Sequence, residues 1–339
     1  MAALSFLVWG SGFFGRKWLE ALKARDDCRI AGIVSRSPDA LDPLRDELGL
    51  PGVRGFRTLG AALASAGADA VVVALPEALH REAIVEALGA GLHVLTEKPL
   101  ATSAAEARAI HQAARARPDR VVMVGQNYRW RPHTRGLRRA VAEGGIGRVG
   151  HVSLGCRLQI RRTTVGGWRE QMADPFLLDI AIHHLDLLRY LTGEEAVEVV
   201  ATSFRPPWSW LAGDSAACAV LTMESGLVVG YDATMVAQGL ETPQEGLITL
   251  IGERGTLHLD ERSQLTLVDP GGPRGIPLEP IPEGELGHGL AGFVESIRTG
   301  RPPETGLADN LRSFALLLAL MESRRSRRAE RPADLTAPG

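Results

Sequence analysis

The feature that most constrains the fold is a glycine-rich turn near the start of the chain. Gly10-Ser11-Gly12-Phe13-Phe14-Gly15 directly follows the apolar run Leu4–Trp9 and precedes a helical pattern. Between a strand and a helix, G-x-G-x-x-G predicts a dinucleotide-binding site. Gly10 permits the tight turn, Gly12 lets a pyrophosphate approach the backbone, and Gly15 lets the helix pack on the strand. The N-terminus of that helix supplies N–H donors to the phosphates.

The first 125 residues alternate between short apolar runs and helical patterns. They predict strands at 4–9, 29–35, 53–56, 70–75, 93–96 and 121–125, and helices at 14–25, 39–48, 59–66, 80–90 and 103–116. Thr58 and Ser103 are the expected N-caps of two of these helices. Apolar strands without strict alternation indicate a parallel sheet covered on both faces. We therefore predict an α/β Rossmann domain, a doubly wound parallel sheet, over residues 1–126.

The pattern changes after Gly147, where strands follow one another without helices. We predict strands at 149–160, 196–204, 215–223, 227–236, 246–251, 255–259 and 264–268, and helices at 175–192, 287–299 and 306–326. Consecutive strands indicate an antiparallel sheet. The second domain, 127–339, is thus expected to be α+β with a large open sheet for substrate binding and oligomerisation. Its last helices are candidates to pack back on the first domain, and Asp269 to Gly284 reads as a surface loop.

Composition limits the classes of partner. The net charge is −2, which gives no electrostatic reason to expect nucleic acid or a membrane. Cys28, Cys156 and Cys218 are widely spaced and have no histidine at zinc-ligand spacing, so we expect neither a disulfide scaffold nor a structural metal. We expect a cytoplasmic protein. The long strands with little charge suggest a face buried against another subunit, as in a homodimer or homotetramer.

The residues after the second predicted strand bear on the choice of nicotinamide cofactor. The sequence there is Ser35-Arg36-Ser37, and no carboxylate occurs until Asp39. An acid at this point usually holds the ribose 2′-hydroxyl of NAD, whereas an arginine accommodates the 2′-phosphate of NADP. The arginine favours NADP(H), and NAD(H) stays open as an alternative. Arg36 could also be a solvated surface side chain.

A lysine follows the fifth predicted strand, in Glu97-Lys98-Pro99. Ligands of open α/β sheets bind beyond the carboxyl ends of the strands, so Lys98 emerges on the cofactor side. It could anchor a substrate hydroxyl and lower the pKa of that hydroxyl. It could equally be solvated at the rim of the sheet.

The predicted helix at 175–192 carries three polar side chains at helical spacing. Asp179, His183 and Asp186 fall at i, i+4 and i+7 on an otherwise apolar helix. Burial of these groups without partners is costly, so we expect the stripe to line a polar cavity. An aspartate one turn from a histidine can set the tautomer of the imidazole and raise its basicity. The alternatives are a structural contact, or a metal site that adds His184 to the three.

Several further motifs, taken with the glycine turn, resemble one family. They are Leu75-Pro76 with His80, the run from Ala90 to Leu100 that contains Glu97-Lys98-Pro99, the run from Gly125 to Pro132, the D-x-x-x-H of Asp179 and His183, and the segment from Gly292 to Ser323. Together they resemble the Gfo/Idh/MocA family, which includes glucose–fructose oxidoreductase and inositol dehydrogenase. The resemblance covers nearly the whole chain.

The resemblance implies a nicotinamide cofactor and an open sheet that commonly forms the subunit interface. It implies a catalytic group of Lys98, Asp179 and His183. Cofactor contacts are expected at the strand ends, from Gly10, Gly12, Phe13, Phe14, Gly15, Ser35, Arg36, Ser37, Leu75, Pro76, His80, Glu97 and Lys98. Substrate contacts are expected from Asn127, Trp168 and Arg169. Ala173-Asp174-Pro175-Phe176 replaces the family's usual glycine-rich stretch, and Ala181 replaces a usual glycine, which leaves the particular substrate open.

The functional hypothesis is reversible oxidation of a secondary alcohol on a ring with several hydroxyls. His183 would take or give the hydroxyl proton, Asp179 would orient His183, and Lys98 would hold the reacting oxygen. Lys98 could instead carry the proton. One alternative is a nicotinamide-binding sensor on the same fold, because fold does not determine function. Another is an enzyme that reduces an unsaturated or imine substrate.

Overall fold

A computed structural model of the chain describes residues 2–162 and 170–337. The chain divides into two compact units. The first unit consists of Met1–Asn127, Ile281–Leu311 and Leu335–Gly339. The second unit consists of Tyr128–Pro280 and Arg312–Asp334. Among the described residues, no helix has the length and apolar character needed to cross a membrane.

The first unit is built on a six-stranded parallel sheet. Its strands are β1 (Leu4–Trp9), β2 (Cys28–Val34), β3 (Gly55–Phe56), β4 (Ala70–Val73), β5 (His93–Thr96) and β6 (Val122–Val124), in the order β3-β2-β1-β4-β5-β6. Its helices between strands are α1 (Phe13–Lys23), α2 (Asp42–Leu48), α3 (Leu59–Ala66), α4 (His80–Gly89) and α5 (Ala104–Arg115). The predicted Rossmann fold is confirmed. The strand order reverses between β1 and β4, which is where such sheets bind ligands.

The ends of these helices form as the sequence predicts. Thr58 Oγ1 accepts a hydrogen bond from the Ala61 N–H at 3.2 Å, and Ser103 Oγ accepts one from the Glu106 N–H at 3.3 Å. Each cap supplies an acceptor to a helical N–H that has none within its own helix. Both predicted N-caps are therefore confirmed.

The second unit contains an eight-stranded, mainly antiparallel sheet. Its strands are β7 (Val149–Arg157), β8 (Ala196–Phe204), β9 (Ala216–Met223), β10 (Val228–Thr234), β11 (Leu247–Gly252), β12 (Gly255–Leu259), β13 (Leu265–Asp269) and β14 (Gly272–Gly275). The strand order is β14-β13-β12-β11-β7-β10-β9-β8, and only the β7–β10 pair is parallel. The predicted large open sheet is confirmed.

The structure describes four further α-helices. They are α6 (Pro132–Ala142), α7 (Ile182–Thr192), α8 (Gly284–Thr299) and α9 (Leu307–Ser326). Helix α7 continues from a π-helical turn, Leu177–Ala181, and packs against α6. Helix α8 belongs to the first unit, where the ring centroid of Phe293 lies 6.3 Å from that of Phe6 in β1.

Two elements were absent from the prediction. Helix α6 buries only Thr134, Gly136 and Leu137, so a single large apolar side chain marks its buried face. Strand β14 has the sequence Gly-Pro-Arg-Gly and lies inside the predicted surface loop. It pairs at the edge of the sheet, where proline and glycine are tolerated in a strand.

Candidate active site

The glycine turn after β1 leaves no room for side chains at two of its positions. Gly10 has φ +118°, and a Cβ placed there would lie 2.2 Å from the carbonyl oxygen of Ala74. A Cβ at Gly15 would lie 2.1 Å from the carbonyl oxygen of Gly10. Both distances are far below van der Waals contact, so the tight turn and the close approach of α1 to β1 require glycine.

Gly12 is different because it borders open space. No atom lies within 4 Å of where its Cβ would be. Gly12 is the N-cap of α1, whose first N–H groups have no acceptor within the helix. Phe13 is 70% exposed and packs edge-to-face on Phe14, with ring centroids 5.3 Å apart. The open space over unpaired helical N–H groups fits a pyrophosphate, and a side chain at Gly12 would fill it.

The predicted ribose-binding residues lie at the end of β2. Ser35 Oγ is 3.2 Å from Ser11 Oγ and accepts from the Ser37 N–H at 3.3 Å, so this segment is tied to the glycine turn. The Arg36 side chain is exposed. Arg57 Nη1 donates to the Arg36 carbonyl at 3.2 Å and its Nη2 lies 3.4 Å from Asp39. The first carboxylate after β2 is therefore already paired with an arginine.

His80 joins the loops that follow β4 and β5. Its Nε2 lies 2.9 Å from the Leu75 carbonyl and its Nδ1 lies 2.7 Å from the Pro99 carbonyl. Burial lowers the pKa of His80, which outweighs the two backbone carbonyls that favour the protonated form. The side chain, 1% exposed, thus binds the protein's own backbone. These contacts tie Leu75 to Pro99, and the contact of His80 with a cofactor stays a prediction.

Lys98 lies two residues beyond the end of β5, at the carboxyl edge of the first unit's sheet. Its side chain is half-buried, and its peptide bond to Pro99 is cis. The preceding residue, Glu97, is 6% exposed and accepts a hydrogen bond from Trp18 Nε1 at 2.7 Å. Glu97 is thereby held to helix α1. Asn127, after β6, donates from Nδ2 to Glu285 at 2.9 Å.

In the second unit, Asp179 and His183 lie at the start of the long helix. Asp179 is half-buried in the π-helical turn, and His183, 4% exposed, is in the first turn of α7. The His183 ring stacks on Tyr128, with ring centroids 4.1 Å apart and planes 7° from parallel. An aspartate and a histidine one turn apart, the latter against an aromatic face, can hold and transfer a proton.

Asp186, the third residue of the predicted stripe, does not line a cavity. It is 1% exposed and accepts from Arg129 Nε and Nη2, both at 2.6 Å, and from Ser313 Oγ at 2.6 Å. The expectation for Asp186 is therefore wrong. The buried Arg129 neutralises the charge of the Asp186 carboxylate. Arg129 and Ser313 are both distant from Asp186 in sequence, so residue spacing along the helix could not reveal them.

His184 is also held by protein groups. Its Nδ1 lies 2.8 Å from the Tyr231 hydroxyl and its Nε2 lies 2.7 Å from the Gln244 carbonyl. Burial lowers the pKa of His184 to about 4. Because a carbonyl only accepts, Nε2 carries the proton and Nδ1 accepts from the tyrosine. Over residues 2–162 and 170–337, no three histidine, cysteine or acidic side chains are grouped so that they could hold a metal.

Trp168 and Arg169 lie outside the described residues. Tyr128, Arg131 and Glu245 were not predicted. Tyr128 and Arg131 belong to the run Gly125–Pro132, which signalled family resemblance, but nothing in the sequence indicates that Tyr128 would meet His183. Glu245 follows a turn and carries no motif.

Comparison with known proteins identifies the family. Residues 4–126 match the model of the oxidoreductase family with an NAD-binding Rossmann fold, GFO_IDH_MocA, and residues 134–258 match the GFO/IDH/MocA C-terminal domain. The chain belongs to the Gfo/Idh/MocA family. It is an NAD(P)-dependent oxidoreductase, and these matches favour an enzyme over a sensor.

Members of the Gfo/Idh/MocA family resemble this chain over most of its length. A 1,5-anhydro-D-fructose reductase of Ensifer adhaerens is 32% identical, with 75% of this chain and 77% of the relative covered. A D-apiose dehydrogenase of Paraburkholderia graminis is 29% identical, with 94% and 87% covered. An oxidoreductase of Agrobacterium radiobacter, solved with NAD+, L-tartaric acid and magnesium, has a TM-score of 0.90 at 23% identity, with 97% and 98% covered. At that identity the last comparison establishes the fold alone.

Proposed function

We propose that this oxidoreductase interconverts a secondary alcohol and a ketone, or an aldehyde and a lactone, on a sugar, cyclitol or related polyol. The names of its relatives support this substrate class, since they include a D-apiose dehydrogenase, a myo-inositol 2-dehydrogenase and a levoglucosan dehydrogenase. The observation that carries the proposal is the placement of Asp179 and His183 one turn apart at the start of α7. Asp179 is half-buried there, and the His183 ring stacks on Tyr128.

The proposed roles follow from the chemistry of each side chain. The bound nicotinamide supplies the acceptor or donor of the hydride. In the oxidation, His183 takes the hydroxyl proton as the carbon loses its hydride, so the alcohol loses two protons and two electrons in all. Asp179 orients the imidazole, and Lys98 holds the reacting oxygen and stabilises the developing alkoxide. Lys98 as the proton carrier is the alternative assignment.

The preferred cofactor in this proposal is NADP(H). Arg36 is exposed at the end of β2, and Asp39, the first carboxylate after it, is paired with Arg57. Arg57 also contacts the Arg36 backbone, so two guanidinium groups flank this loop. Guanidinium groups bind phosphate well, which supports a preference for a 2′-phosphate over a free 2′-hydroxyl.

A homodimer or homotetramer through the second unit's sheet is also part of the proposal. One face of that sheet carries a row of paired residues across six strands: Val200, Val220, Gly230, Ser153, Thr249 and His258. Val200 is 49% exposed and Val220 51% exposed. A broad face that exposes valines among small, uncharged side chains suits a subunit interface.

The experiment that tests the function is reduced-nicotinamide absorbance, with NADP+ and NAD+ in parallel. The purified protein is assayed against inositols, aldoses including D-apiose, deoxy sugars and anhydrosugars, and in reverse with 1,5-anhydro-D-fructose. We expect turnover with at least one member and a higher kcat/KM with the NADP pair. Tight NADPH binding by fluorescence with no turnover across the panel would contradict the substrate class.

A further inference from the structure

His183 is one layer of a stack of three side chains in the second unit. Its imidazole lies on the Tyr128 ring, at 4.1 Å between centroids and 7° between planes. The Arg131 guanidinium carbon lies 4.0 Å from the centroid of the same tyrosine ring. An imidazole and a guanidinium this close to one ring centre would overlap on a single face. Tyr128 therefore lies between His183 and Arg131.

The far side of the stack is held by buried charge. Arg131 Nη1 forms an ion pair with Glu245, and Arg131 Nη2 donates to Gln244 Oε1 at 3.0 Å. The Glu245 side chain is 2% exposed, and His133 Nε2 lies 2.5 Å from its Oε1. Burial would raise the pKa of Glu245, but the hydrogen bond with His133 and the charge of Arg131 outweigh burial and hold that pKa at about 2. Glu245 is thus an anion throughout the working pH range and keeps Arg131 in place.

The tyrosine itself has little freedom to move. Tyr128 is 5% exposed, in the 3-10 turn Asn127–Trp130. Its hydroxyl reaches Gln244 Oε1 only at 3.5 Å, so the ring face and not the hydroxyl makes the close contacts. Stacking on a fixed ring restricts the second side-chain torsion of His183, which sets the direction of both imidazole nitrogens.

We propose that Tyr128 is a positioning residue for His183, and that the Arg131–Glu245 pair fixes Tyr128 in turn. The inference rests on the proton-transfer role proposed for His183. Proton transfer requires the acceptor nitrogen to lie within hydrogen-bond reach of the substrate hydroxyl. A ring that rotates away from that direction loses turnover even when its chemistry is intact, and a misplacement of about 1 Å can cost roughly 10²-fold.

The test compares Tyr128→Leu with Tyr128→Phe, because phenylalanine keeps the ring and loses the hydroxyl. We expect Tyr128→Leu to lower kcat roughly 10- to 100-fold, with NADPH affinity and Tm close to the parent values. Tyr128→Phe should keep kcat within about 3-fold of the parent value. Tyr190→Leu is the matched control, since Tyr190 also lies near an arginine, Arg129, at 5.2 Å. Tyr190 lies near the far end of α7 from His183, and its variant should keep kcat.

Two further measurements make the outcomes distinct. In spectra of the protein with ¹⁵N-labelled histidine, the His183 signal should lose its ring-current shift in Tyr128→Leu and keep it in Tyr128→Phe. In the His183→Ala background, Tyr128→Leu should cause no further loss, because it acts through the absent imidazole. If His183→Ala loses turnover while Tyr128→Leu keeps it, the positioning role is wrong and the proposed function stands. If His183→Ala turns over normally, the proton-transfer role of His183 and the positioning role of Tyr128 are both wrong, and Lys98 becomes the proton carrier.

Discussion

At the scale of single residues, two adjacent histidines on α7 show how surroundings assign roles. His184 is enclosed, with its two ring nitrogens occupied by Tyr231 and the Gln244 backbone. His183 stacks the face of its ring on Tyr128. Bonds to both ring nitrogens suit a structural residue, and stacking on a fixed ring suits a histidine whose orientation matters for proton transfer.

His184 should make folding stability depend on pH. Burial lowers its pKa from 6.5 to about 4, so the unfolded chain takes up the proton first and acid favours unfolding. The contribution is present above about pH 6.5 and is lost as the pH falls towards 4. Between about pH 7 and pH 5 we expect His184 to account for a loss of about 2 kcal/mol.

Urea unfolding of the parent and of His184→Gln at these two pH values measures this loss. The glutamine cannot titrate, so its unfolding free energy should fall less steeply in acid. His151→Gln, at an exposed position, is the control and should behave like the parent. Equal pH dependence in all three proteins would show that His184 does not titrate as inferred.

Lys98 provides the second prediction at this scale. Lys98→Ala should keep NADPH affinity and lower kcat by about 10³-fold, because the reacting oxygen loses the cation that holds it. Lys17→Ala is the control, since Lys17 is exposed on α1 and its Nζ lies 3.1 Å from Glu20 Oε2. Near-normal turnover by Lys98→Ala would remove Lys98 from the catalytic group.

At the scale of elements, the turn from β1 into α1 contains glycines that the packing requires and one that borders the proposed phosphate site. A Cβ at Gly15 would meet the Gly10 carbonyl at 2.1 Å, whereas a Cβ at Gly12 would meet nothing within 4 Å. Gly12 also has φ −75°, which any residue can adopt. Gly15 is therefore needed for the packing of α1 on β1, and Gly12 is needed to keep the proposed phosphate site open.

A matched pair of alanine variants tests this division. Gly12→Ala should leave the free energy of unfolding within about 0.5 kcal/mol of the parent value. It should weaken NADPH binding at least about 10-fold, since the new methyl group occupies the proposed phosphate position. Gly15→Ala should lower the unfolding free energy by roughly 1–3 kcal/mol. Chemical denaturation and NADPH fluorescence titration measure both. Normal NADPH affinity in Gly12→Ala would contradict the assignment of the cradle.

At the scale of the whole molecule, the second unit's sheet leaves one face uncovered. Tyr231 of β10 points to the covered face, where it meets His184, and its neighbours Gly230 and Asp232 belong to the opposite face. This face exposes valine side chains to water, which is unfavourable for apolar surface. Association of two copies through this face would bury these side chains.

Val220→Arg should therefore convert the oligomer to a smaller species. A charged side chain in the middle of an apolar interface costs several kcal/mol if it is buried without a partner. Size-exclusion chromatography with light scattering measures the mass. Leu240→Arg is the control, because Leu240 is 88% exposed and outside the strands. An unchanged mass in Val220→Arg would place the interface elsewhere, and a monomeric parent would contradict the proposed oligomer.

The sequence by itself determined the fold class, most strand and helix positions, the glycine turn and the motif positions of Lys98, Asp179 and His183. These follow from local periodicity, turn chemistry and spacing, which neighbouring residues are sufficient to set. Only the tertiary structure decided that Asp186 belongs to Arg129 and Ser313, that Tyr128 stacks on His183, and that Gly-Pro-Arg-Gly forms an edge strand. Each of these depends on residues brought together from distant parts of the chain or sheet. No periodicity records such contacts, because the energy of burying a charge or a ring depends on which partner folding places beside it.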